Sequence, residues 1–259
     1  MLKLNCTLLK VGLIVFVYLQ SGFIQTAKAA DVPAKPVGPE MPPEPLSVSY
    51  KFTASYYQAS DNNDAVDINL RANYSVHTAW MGEYSDKNGF HQFRTGYEYS
   101  PNFDFVRPTF SAQLAGGGFL GGSVTSEVGG DTYAIIGVGR TNLRNYYNLN
   151  FDPNDAITFG MGTRAFSNTE LSLFQVFDDR LNTHQRITHF VWRYKPTNSQ
   201  RITVDASYKT GLDSGNDFIH GYGLSFDYGY KQFFARVARE QYANFATSDL
   251  TRFSVGMRF

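Results

Sequence analysis

Residues 250–259 (LTRFSVGMRF) constrain this chain more than any other stretch, because Thr251, Phe253, Val255, Met257 and Phe259 alternate strictly with Arg252, Ser254, Gly256 and Arg258. A period of two belongs to a strand, and here it sets an apolar face against a charged one. Such a strand meets a different solvent on each side. Water on one face and lipid on the other is one way to satisfy it.

The same alternation recurs along the chain. Val66, Ile68, Leu70, Ala72 and Tyr74 oppose Asp67, Asn69, Arg71 and Asn73. Val106, Pro108, Phe110, Ala112 and Leu114 oppose Arg107, Thr109, Ser111 and Gln113, and Ile202, Val204, Ala206 and Tyr208 oppose Arg201, Thr203, Asp205, Ser207 and Lys209. Turn residues separate these runs, as at Asp61-Asn62-Asn63, Asp86-Lys87-Asn88-Gly89, Asp152-Pro153-Asn154-Asp155 and Asp213-Ser214-Gly215-Asn216. Segments of about ten residues with this pattern are the mark of transmembrane strands. We count about fourteen, beginning near Ser47, Asp64, Thr78, Phe90, Phe105, Asp131, Leu143, Ala156, Asn168, His184, Gln200, Asp217, Tyr230 and Leu250. Twelve is the competing count.

Parity bears on residues 116–130 (GGGFLGGSVTSEVGG). A bacterial single-chain barrel needs an even number of strands, and a strand added here makes the total odd. The expectation is therefore a loop, a candidate constriction presenting Phe119, Leu120 and Glu127 to the solute, with the neighbouring glycines permitting a tight path.

The amino terminus carries Lys3 and Lys10, an apolar run over residues 11–19, and Ala27-Lys28-Ala29 before Ala30. That order of charged, apolar and small residues predicts a secretory signal peptide over residues 1–29, cleaved after Ala29. Residues 30–46 form a proline-rich leader, which reads as a tether. The barrel is expected over 47–259. Losing Lys3, Lys10 and Lys28 from a chain with 23 basic and 23 acidic residues leaves 20 against 23. This balance argues against a nucleic-acid binder. The single cysteine, Cys6, leaves with the signal, so disulfides and thiol chemistry go with it. No apolar run after Ala30 reaches the length of a membrane-spanning helix.

With apolar faces toward lipid, the opposite faces line the lumen. The expected luminal charges are Asp67, Arg71, Glu83, Arg94, Glu98, Arg107, Arg144, Arg164, Arg193, Arg201, Asp205, Lys209, Asp227, Arg236, Arg252 and Arg258. Of these, Arg71, Arg94, Glu98, Arg107, Arg164, Arg201, Asp205 and Arg252 are the expected pore-lining set, and a surplus of arginine favours anionic solutes. Tyr56, Tyr57, Trp80, Tyr84, Tyr97, Tyr99, Tyr146, Tyr147, Trp192, Tyr194, Tyr222 and Tyr228 sit near strand ends, where interfacial aromatic girdles form. No histidine pair has metal-ligand spacing, and no serine and histidine stand two apart; His189 and Ser207 could meet only across strands. No cofactor or metal is expected, and no enzyme.

The signal peptide, the alternating segments from Ser47 onward and the closing FSVGMRF strand make the chain resemble bacterial outer-membrane β-barrel proteins of the porin-like kind. The resemblance implies an antiparallel transmembrane barrel in the bacterial outer membrane, in contact with outer-membrane lipid and lipopolysaccharide. It also implies that Phe253, Val255, Met257 and Phe259 form the signal read by the barrel-assembly machinery. The function it implies is passive diffusion of small hydrophilic solutes. The alternatives are a lipid-modifying barrel enzyme, and a structural or export barrel of an envelope assembly.

Overall fold

The computed structural model describes residues 47–259. The expected signal peptide and proline-rich leader lie outside the described residues. Fourteen strands follow in order: β1 (Ser49–Ala59), β2 (Ala65–Tyr74), β3 (His77–Asp86), β4 (His91–Tyr99), β5 (Val106–Ala115), β6 (Phe119–Gly129), β7 (Thr132–Thr141), β8 (Ala156–Phe166), β9 (Thr169–Asp178), β10 (Arg186–Thr197), β11 (Gln200–Leu212), β12 (Phe218–Tyr230), β13 (Phe233–Glu240) and β14 (Leu250–Arg258). Each pairs antiparallel with its neighbours in sequence, and β14 pairs with β1 to close the barrel. Closure leaves no open edge, which a bilayer requires because it supplies no hydrogen bonds to unpaired backbone.

The seam is held by both backbone and side chain. Tyr50 N donates to Phe259 O at 2.6 Å and Phe259 N to Tyr50 O at 3.0 Å, while their rings stack with centroids 5.5 Å apart. The outward residues of β14 are exposed, Val255 at 63%. Replacing Phe253, Val255 and Met257 together with Asp puts three carboxylates on this apolar face. The triple variant is expected to be exported but not inserted; fractionation showing wild-type levels of heat-modifiable barrel would contradict this.

Short turns, residues 75–76, 130–131, 167–168, 198–199 and 231–232, occupy the end where β1 begins and β14 finishes. Longer connections, including 142–155, 179–185 and 241–249, occupy the other. We call these the turn end and the loop end. Exposed aromatics mark both: Tyr50, Tyr74, Tyr97, Tyr99, Tyr228 and Tyr230 near the first, Tyr56, Tyr208 and Tyr222 near the second.

The total of fourteen matches the sequence reading, but two segments exchange places. Residues 116–130 form a turn and strand β6, paired with β5 and β7 throughout. The strand expected near Leu143 does not form; residues 142–155 are a loop. The two errors cancel in the parity argument. Glu83 also departs from expectation, since it lies on the outward face of β3 with Met81, in register with Ile68 and Phe93. Arg144 lies exposed in the loop.

Candidate functional site

The loop 142–155 turns into the lumen, and its neck is closed by Asp155. That carboxylate accepts from the backbone N of Thr141 at 3.1 Å, from the Thr141 hydroxyl, and from Arg180 NH1 at 2.7 Å. Burial opposes its charged form, yet these bonds outweigh the burial and hold its pKa below the ordinary value. A depressed carboxylate pKa keeps the closure in place at neutral pH and releases it only on acidification below the usual carboxylate range.

Inside the lumen the loop is gripped from several walls. On β4, the Gln92 amide acts like a strand residue: Nε2 donates to Asn145 O at 2.9 Å, and Oε1 accepts from Tyr147 N at 3.0 Å. Two rings dock beside it, Tyr146 on Phe119 and Tyr147 on Tyr84, each with centroids 4.2 Å apart. From β14, Arg252 NH1 donates to Leu149 O at 3.0 Å while its guanidinium lies 5.5 Å from the Phe151 ring centroid. Phe151 is buried with Tyr57, Ala65, Tyr84, Ala243 and Leu250. On the far wall His189 bridges Asp152 of the loop and Asp205 of β11, each at 3.0 Å, with the Phe174 ring stacked on it.

These contacts stretch the loop across the lumen, from β4 and β14 to β10, and leave room beside it. A cavity of about 450 Å³ lies there, bounded by loop residues Asn148, Asn150 and Asn154 and by the small residues Gly121, Ser123, Thr125, Gly139 and Thr158 of β6–β8. Small side chains at these inward positions leave that cavity unfilled. The same cavity reaches Lys51, Arg71, Arg94, Glu98, Arg236 and Arg252.

The expected pore-lining residues all lie on inward faces, but most of the arginines are paired. Arg94 is buried against Asp67, and Arg71 meets Glu98 at 3.1 Å. Nearer the turn end a ladder runs across the wall: Arg107 to Glu127 at 3.2 Å, Arg164 to Glu127 at 2.7 Å and to Glu170 at 3.1 Å, and Arg193 to Glu170 at 3.3 Å. Asp205 is engaged by His189. Among the described residues, Lys51, Arg201, Arg252 and Arg258 have no carboxylate within 4.0 Å.

The candidate constriction at residues 116–130 is not a loop. Phe119 does face inward, buried under Tyr146, and Glu127 joins the ionic ladder. Leu120 points out of the barrel and is 53% exposed. The segment that enters the lumen is instead loop 142–155. Tyr57, Trp80, Tyr84, Tyr146 and Tyr147 likewise leave the expected girdle. Trp80 lies across Gly96, where a Cβ would sit 2.6 Å from the indole, and the tyrosines pack the loop into the lumen. Their strand parity, or their place in an inward loop, overrides their nearness to strand ends. His189 and Ser207 are register partners on β10 and β11, but both imidazole nitrogens are engaged by aspartates.

No family model matches the sequence, and no curated protein matches it. Solved structures do. The outer membrane protein Omp33 of Acinetobacter baumannii superposes with a TM-score of 0.56 at 12% identity, over 83% of this chain and 99% of that one. The fold is that of a bacterial outer-membrane barrel. Other outer-membrane barrels in the same comparison are the KdgM porin, at a TM-score of 0.46, 9% identity and coverage of 81% and 99%, and a mutant of the Rh. blastica porin, at 0.48, 9%, 83% and 100%.

Proposed function

We propose that this protein is a passive outer-membrane channel for small hydrophilic solutes, with a preference for anions. The observation that carries the reading is the cavity beside the inward loop: glycine, serine, threonine and asparagine make up much of its wall, charged side chains ring it, and a few aromatic rings such as Phe119 and Tyr146 complete it. A barrel of fourteen strands is wide enough that side chains alone do not fill it. The loop narrows the lumen and leaves a gap on the β6–β8 side lined mainly by small and polar residues, with Phe119 the large apolar exception.

The preference follows from local charge. Fixed cations without a matching carboxylate raise the concentration of anions along the path, whatever the net charge of the chain. Neutralising Arg107, Arg164 and Arg201 together leaves Glu127 without either of its arginines and removes one unpaired cation. The reversal potential in a salt gradient is expected to move toward cations, and the shift to shrink as ionic strength rises and screening shortens. An unchanged reversal potential in well-inserted protein would show that these side chains do not line the path. The leader as a tether, the cleaved signal peptide and the β14 face as an assembly signal belong to the same reading.

A further inference from the structure

We infer that Lys51 and Arg258, at the turn end of the lumen, form a binding site for a compact dicarboxylate. The inference rests on the luminal path proposed above and gives it a substrate class.

Lys51 on β1 and Arg258 on β14 are direct register partners, and Lys51 is also the register partner of Arg71 on β2. Three cations therefore stand side by side on one face of three adjacent strands. Like charges placed directly opposite destabilise a sheet. The acids nearby relieve only part of this. Glu98 is committed to Arg71 at 3.1 Å and Asp227 to Arg236 at 3.2 Å. Among the described residues no carboxylate, that of Phe259 included, lies within 4.0 Å of Lys51 or Arg258.

The two cations share one other feature, the Phe234 ring. Lys51 Nζ lies 4.8 Å from its centroid and the Arg258 guanidinium 4.7 Å. The ring can lie there because β14 has Gly256 beside it, where a Cβ would come within 2.3 Å of the ring. Arg258 NH1 is buried and has no hydrogen-bond partner. A paired, donor-rich site with two positive charges and one unused guanidinium donor matches a small molecule bearing two carboxylates. The guanidinium fork suits one carboxylate and the ammonium the other. The Phe234 ring gives the hydrocarbon between them an apolar neighbour, which inorganic phosphate cannot use.

Titration calorimetry with succinate on the detergent-folded barrel tests this directly, with phosphate and glucose as comparisons. Saturable succinate binding is expected, tighter than phosphate and weakening as salt is added, with no glucose binding. Lys51→Gln and Arg258→Gln should each weaken it about tenfold or more, since a charge-assisted bond is lost in each. Lys195→Gln, on an exposed strand end, should leave it unchanged. If Arg258→Gln fails to assemble next to the closing Phe259, Lys51→Gln decides alone. Absence of succinate binding, equal binding of phosphate, or indifference to Lys51→Gln would overturn the site. The measurement needs no current: a barrel that binds succinate and does not conduct keeps the site and loses the channel, and one that conducts anions without binding succinate does the reverse.

Discussion

Excising residues 143–153 and joining the ends with two glycines is expected to raise single-channel conductance several-fold. The loop crosses the lumen and is held by Gln92, Arg252 and His189, so its removal merges the cavity of about 450 Å³ with the space the loop fills. The barrel itself should survive, because all fourteen strand pairings lie outside the excised residues. A gentler variant, Asp152→Asn, keeps the loop but replaces its charged contact with His189. It should give channels that flicker between the narrow and wide levels as that anchor weakens. Conductance unchanged by the excision would mean that ions do not pass the loop.

Arg94→Ala should cost about 3–5 kcal/mol of barrel stability, the range for leaving a buried charge without its partner. Arg94 and Asp67 have side-chain exposures of 2% and 4%, so water does not take over when the guanidinium is removed. Arg94 also donates to the Tyr147 carbonyl at 3.4 Å, which ties the loss to the loop. The double variant Arg94→Met with Asp67→Leu removes both charges and should recover most of the stability. Thermal unfolding of the detergent-solubilised barrel, followed by heat-modifiable mobility, reads both. A double variant no more stable than the single one would show that the pair itself, and not the orphaned carboxylate, carries the effect.

The alternation of β14 and β2 made the fold legible in the sequence, because two solvents impose a period of two on every strand that separates them. It also hid the inward loop. In residues 142–155 Leu143, Tyr147, Leu149 and Phe151 fall on alternate positions and imitate a strand. The contrary signals were the absence of any β-branched residue and five asparagines, a composition that suits turns better than a ladder. In β6 the disguise ran the other way. Gly121, Gly122 and Ser123 have little or no side chain, which erases the visible alternation, and at the inward positions Gly121 and Ser123 it keeps that wall open.

Charge pairing was not legible at all. Parity assigns Arg107 and Arg164 to the lumen, but that both reach Glu127 depends on strand order and register across β5, β6 and β8. The same holds for His189, whose anchors come from a distant loop and a neighbouring strand. Register also exposes what parity alone could not: Lys51 and Arg258, far apart in the chain, are adjacent only because β14 closes on β1.

The most direct test of the channel is single-channel recording of the refolded, folded-state-verified protein in a planar bilayer, with potassium chloride at unequal concentrations on the two sides. An aqueous path beside loop 142–155 predicts discrete current steps and a reversal potential on the anion side. Well-inserted protein that passes no current would contradict it and leave a plugged structural barrel or an enzyme.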